Sequence, residues 1–161
     1  MMNQANLIEN NKADRVRRNT SETINERLDR EMRNRVRYYA ECDRAEITER
    51  IGELEREWDV ERVLETNASA LALTGLGLSL ATKNKKWLLV PGVVLSFLMQ
   101  HAVQGWCPPL PVLRRLGVRS REEIEREKYA LKVLRGDFET AAIDNEDGFE
   151  RAEKALAAVE C

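Results

Sequence analysis

Val63–Thr82, VLETNASALALTGLGLSLAT, and Trp87–Trp106, WLLVPGVVLSFLMQHAVQGW, flank the short connection Lys83-Asn84-Lys85-Lys86, and this arrangement decides the fold. At about 1.5 Å of rise per residue, each apolar stretch spans roughly 30 Å as a helix, the thickness of a bilayer's hydrocarbon core. The first is strongly apolar only from Ala68 to Thr82, enough for about 22 Å. The second carries Gln100, His101 and Gln104 toward its far end. A connection of three lysines and an asparagine calls for water or lipid headgroups. A transmembrane helical hairpin over residues 63–107 is therefore expected, in an all-α chain whose other helices are amphipathic and cytoplasmic. The competing reading is a soluble helical bundle with both stretches in its core.

Details at the ends of the hairpin favour the membrane. Trp87 and Trp106 bracket the second stretch, where an indole can place its ring in hydrocarbon and its nitrogen in water. Pro91 falls early enough in that helix for its missing donor to cost little. Gly105 and Pro108-Pro109 set the other end. Arg50, Arg56, Arg62, Arg114, Arg115, Arg119 and Arg121 outnumber Lys83, Lys85 and Lys86, which puts both termini in the cytoplasm. Arg114 and Arg115 join the two tryptophans as expected membrane-interface residues. Small residues, Gly75 and Gly77 among them, suit close packing of the first span against Gly92, Ser96 and Ala102 or against another subunit.

The flanks read as charged helices. Residues 1–19 have no period and are expected to be a flexible tail. Residues 20–62 read as a cytoplasmic helical hairpin. Thr20 or Ser21 caps a helix with the stripe Ile24, Leu28, Met32, Val36 and Tyr39, ending near Ala40. Asp43 with Glu46 makes a capping box for a second helix, with the stripe Ile47, Ile51, Leu54 and Trp58. No cap or breaker is evident after Trp58, so this helix is free to run on into the first span. The stripes either pack on each other or are offered to a partner. Residues 108–138 read as a juxtamembrane segment, then a helix opened by Ser120 and Glu123 and carrying Ile124, Leu131, Leu134 and Phe138. Residues 139–161 read as an acidic linker and a short helix capped by Asp147 with Glu150.

Bulk properties narrow the function. Of 161 residues, 34 % are charged, yet the hairpin holds almost none of them, and the mean hydropathy of −0.51 averages two unlike regions. A net charge of −2 without a long basic face argues against nucleic acid as a partner. Cys42, Cys107 and Cys161 lie far apart, match no zinc or disulfide spacing, and fit a reducing compartment. The polar start Asn3-Gln4 with Asn6 gives no cleaved signal peptide, so the chain is expected to begin in the cytoplasm.

Chemistry is sparse. His101 and Cys107 stand six positions apart, about 240° round a helix, and share a face only if the helix breaks at Gly105. With such a break, Cys107 is a candidate interfacial thiol for redox or sulfur-carrier chemistry, with His101 as its neighbour. Otherwise Gln100, His101 and Gln104 hydrogen-bond across the hairpin and Cys107 simply packs. Glu53, Glu57 and Glu61 have arginines beside them and no histidine, so they read as a solvated face and not as a metal site. No nucleotide- or dinucleotide-binding loop is present, and no cofactor is expected.

Val60-Glu61-Arg62 before the first span, and Gly105, Cys107 and Pro108 after the second, with Leu113 and Gly117 continuing the pattern, resemble the YgaP-like inner-membrane transmembrane family. The resemblance covers about residues 59–117. It implies a bacterial inner-membrane hairpin, often dimeric through hairpin packing. The best-known members also carry a rhodanese domain, which has no counterpart here, so sulfurtransferase activity does not transfer. The expected role is a membrane-anchored structural or accessory protein. Its partners are the lipid bilayer and either copies of itself or a membrane complex.

Overall fold

A computed structural model describes residues 14–138, and among them the secondary structure is entirely helical. In chain order the α-helices are α1 (Arg15–Arg18), α2 (Glu22–Tyr39), α3 (Arg44–Arg56), α4 (Val60–Thr82), α5 (Leu89–Gln104), α6 (Leu110–Arg115) and α7 (Arg121–Arg135). A 3-10 turn, Lys85–Leu88, leads into α5. The expected tail over 1–13, the acidic linker, the short C-terminal helix and Cys161 lie outside the described residues.

Two compact units divide these elements. One holds the described chain up to Arg30 together with Trp58–Glu123; the other holds Glu31–Glu57 and the described chain from Ile124.

In the second unit, Ile47, Ile51 and Leu54 of α3 share a core with Ile124 and Leu131 of α7, and half-buried Tyr39 packs against it. The α3 stripe is thus spent on the chain's own core. Met32 and Val36 are half-buried. The carboxylate of Glu127, fully buried, is held by Arg35 (Nη2 at 2.8 Å) and Arg50 (Nη2 at 2.9 Å). Two guanidiniums around one carboxylate supply the pairing without which a buried charge is costly. The expected Asp43–Glu46 capping box is present and opens α3.

In the first unit, α4 and α5 form an antiparallel pair. Leu64, Ala68, Gly75 and Ser79 are buried along one stripe of α4. A Cβ built on Gly75 would come within 2.7 Å of Pro91 Cδ and 2.9 Å of Val90 Cβ, so the absent side chain is what lets the helices close. Gly77 and Gly92 have nothing within 4 Å of such a Cβ. Both face away from the pairing, and Gly92 is not the contact that the small-residue pattern suggests. Lys83 takes the left-handed conformation at φ 52°, and Asn84 accepts from Lys86 N to start the 3-10 turn.

Two expectations change. Helix α3 does not continue into α4: Asp59 is extended at ψ 170° and accepts from Arg62 N at 2.7 Å, capping a new helix. Trp58 therefore leaves the α3 stripe. It is 47 % exposed, with the Arg62 guanidinium 4.5 Å above its ring. The second change lies in the expected tail. Residues 15–18 are helical, with Asp14 accepting from Arg17 N, and Val16 joins the core of Val60, Leu64, Cys107 and Leu110.

Helix α4, at about 34 Å, and the helical run Lys85–Gln104 formed by the 3-10 turn and α5, at about 30 Å, are long and apolar enough to cross a membrane. Only 17 % and 6 % of their most apolar windows are buried. Leu73 (68 %), Leu80 (72 %), Met99 (68 %) and Val103 (72 %) stand exposed. Among the described residues they are not the core of a bundle. The hydroxyls on these helices turn inward to the backbone: Thr74 donates to Ala70 O, Thr82 to Leu78 O and Ser96 to Gly92 O, all within 2.8 Å. The exposed faces thus offer few unsatisfied donors.

Candidate functional site

The polar and reactive side chains of the first unit gather at the open end of the α4–α5 pair, where α4 begins and α5 ends. Gly105 ends α5 at φ 72°, a left-handed cap that glycine adopts without strain. Helix α1 lies over this end. Arg15 Nη1 donates to Ala102 O at 2.6 Å and Asn19 Nδ2 donates to Gln104 O at 3.1 Å. These are carbonyls that the last turn of a helix leaves without intrahelical partners. A Cβ on Gly105 would meet Arg15 Cβ at 2.6 Å, so the approach itself depends on glycine. Val60 N–H, at the start of α4, donates to Arg119 O at 3.0 Å.

Beneath this lies a buried charge cluster. Arg114, fully buried, donates two 2.7 Å bonds to Glu123 and further bonds to Asn25 Oδ1, Thr20 Oγ1 and Val118 O. Arg17 donates to Glu123 at 2.6 Å and holds Asp29 by two bonds of 2.8 and 2.9 Å. Ser120 N donates to Glu123 Oε2, and Ser120 Oγ donates to Asp14 Oδ2. The expected Ser120–Glu123 box is present, but the same carboxylate also anchors two arginines. Burial opposes ionisation of Glu123; the bonds and charges of Arg114, Ser120 N–H and Arg17 outweigh it and hold its carboxyl below the usual range.

Arg114, expected from the sequence at a membrane interface, is fully buried in this cluster. Arg115 is exposed, and Trp87 and Trp106 are 39 % and 37 % exposed. Thr20 does not cap α2 with its side chain: its hydroxyl donates to Val16 O. Of the α2 stripe in this unit, Leu28 is buried and Ile24 half-buried. Sequence reasoning missed Arg17, Asp14 and Asp29 altogether.

Because the helix breaks at Gly105, His101 and Cys107 do come to one place. Both line an apolar cavity of about 470 Å³ with Leu71, Val94, Phe97 and Pro108. Cys107 is 2 % exposed. A reactive thiol needs access, and Cys107 is buried in this structure. On the other side of His101, a second cavity of about 340 Å³ is lined by Glu61, Glu65, Arg15 and Ala102. Glu61 Oε2 and His101 Nδ1 are both buried without a hydrogen-bond partner. No group of three or more His, Cys, Asp or Glu suited to a metal ion occurs among the described residues. No protein-family model, no curated protein and no solved structure matches the chain.

Proposed function

We propose that this chain is a membrane-anchored accessory protein, held in a bacterial inner membrane by the α4–α5 hairpin with both termini in the cytoplasm. The observation that carries the reading is the exposure of Leu73, Leu80, Met99 and Val103 on helices of spanning length, in a chain that elsewhere spends its apolar stripes on its own cores. Exposed apolar patches of this kind mark a lipid or protein interface. Trp87 and Trp106, 19 residues apart in sequence, or about 28 Å along a helix, suit the two headgroup regions. The outward faces at Gly77 and Gly92 suit contact with a second copy or a membrane partner. The likeness of residues 59–117 to the YgaP-like hairpin family belongs to this reading and brings no enzymatic activity with it.

The test is fractionation of cells expressing the full chain, an alkaline carbonate wash, then extraction in mild detergent with sizing and mass spectrometry. Retention in the washed membranes, followed by a defined oligomer or complex, is the expected result. Recovery in the aqueous fraction without detergent refutes the anchor, and a strictly monomeric particle refutes the accessory role.

A further inference from the structure

Glu61 and His101 of the first unit line the same 340 Å³ cavity, and each has a buried polar atom without a hydrogen-bond partner, Glu61 Oε2 and His101 Nδ1. His101 is 7 % exposed, and a buried polar atom without a partner carries a real cost. An ionised carboxylate accepts only, so the partner Glu61 Oε2 lacks is a donor; His101 Nδ1 takes a donor as well in the tautomer that carries its proton on Nε2. Glu61 and Glu65 bring two negative charges to the cavity against the one positive charge of Arg15. That balance favours a cationic donor with several N–H bonds to give. Arg15 spends Nη1 on Ala102 O and is otherwise exposed at the rim, where it can meet an anion. Beyond His101 lies the apolar cavity of about 470 Å³, large enough for part of a hydrocarbon chain.

We propose that this cavity binds the headgroup of a membrane lipid bearing a primary ammonium next to a phosphate. The ammonium faces Glu61, Glu65 and His101, the phosphate faces Arg15, and an acyl chain follows the apolar cavity past Phe97. This inference rests on the membrane reading above, and its test is run only on protein already shown to be embedded.

His101 is the sole histidine, so one imidazole-¹⁵N-labelled sample reports this site alone. The full chain is placed in phosphatidylcholine nanodiscs at about pH 8, above the ordinary histidine range near 6.5, and phosphatidylethanolamine is titrated in. A saturable shift of the Nδ1 resonance is expected. Phosphatidylglycerol should give none, since it lacks the cation; phosphatidylcholine has the charge but no N–H donor. Glu61→Gln should weaken the response roughly tenfold or more while leaving the protein embedded. The proposal is overturned by an embedded protein whose His101 signal does not respond, by an equal response to phosphatidylglycerol, or by an unchanged response in Glu61→Gln. Saturation by soluble phosphoethanolamine alone overturns the lipid as occupant.

Discussion

Gly75 and Gly77 lie two residues apart on α4, about 200° round the helix, and alanine at each isolates the packing of the hairpin. In both variants the helix gains the same intrinsic preference, about 1 kcal/mol for alanine over glycine. That gain cancels in the difference between them. What remains is the contact. At Gly77 the new methyl meets nothing within 4 Å. At Gly75 it meets Pro91 Cδ at 2.7 Å, Val90 Cβ at 2.9 Å and Trp87 O at 3.1 Å. The proline ring and the backbone oxygen cannot swing aside as a long side chain would, so the helices must separate. Overpacking of this kind costs typically about 1–3 kcal/mol. The Gly75→Ala protein should therefore be less stable than Gly77→Ala by about 1–3 kcal/mol, with wild type about 1 kcal/mol below Gly77→Ala and level with or above Gly75→Ala. Denaturant unfolding in a mild detergent, followed by circular dichroism, reads that difference. Equal midpoints, or a less stable Gly77→Ala, would refute the pairing of α4 with α5 through Gly75.

Two further predictions concern the open end. Glu123→Gln keeps the shape but leaves Arg114 and Arg17 facing a neutral amide, and should cost about 3–5 kcal/mol; an unchanged thermal midpoint would remove the cluster from any role in stability. Because the Glu123 carboxyl is held below its ordinary value, its contribution is complete above about pH 4.3 and is lost as pH falls through the lower folded value. The wild type should show that acid-side loss and Glu123→Gln should lack this component of it. In a chain keeping only Cys107 (C42S with C161S), a maleimide should label the folded protein far more slowly than the denatured one; labelling at the free-thiol rate would support the reactive-thiol reading.

The elements legible in the sequence were those written in composition and period. The two apolar stretches, the Asp43–Glu46 and Ser120–Glu123 boxes and the stop expected near Ala40 and found after Tyr39 are local signals, each contained in one contiguous segment. The break at Glu57–Asp59 also had a local signal, Asp59 in a capping position, but the surrounding Val60, Val63 and Leu64 continue a helical pattern that masks it. Arg114 illustrates a different failure. An arginine beside a membrane span reads as a headgroup contact, and only the return of Glu123, Asn25 and Thr20 from elsewhere in the chain converts it into a buried anchor. Glu123 is nine residues away, but Asn25 and Thr20 are 89 and 94 residues away, and pairing over such distances leaves no spacing to read.

Helix α1 shows why the site was harder to read than the fold. Four residues, Arg15–Arg18, cannot display a helical period, and as an isolated turn they would not hold together. Their order comes from what each side chain finds. Val16 enters the core beside Cys107 and Leu110, Arg17 bridges Asp29 and Glu123, and Arg15 caps the end of α5. Each of those partners lies outside α1, and all but Asp29 are more than forty residues away in sequence. The same contacts close Gly105 against Arg15 beside the cavity lined by His101 and Glu61, whose Nδ1 and Oε2 are without partners. A segment with the least secondary-structure signal in the described chain thus sets the geometry at the one place where this hairpin has polar chemistry to offer. Substitutions in Arg15–Arg18 should accordingly disturb the His101 resonance more than comparable changes at Gly77, whose surroundings are open.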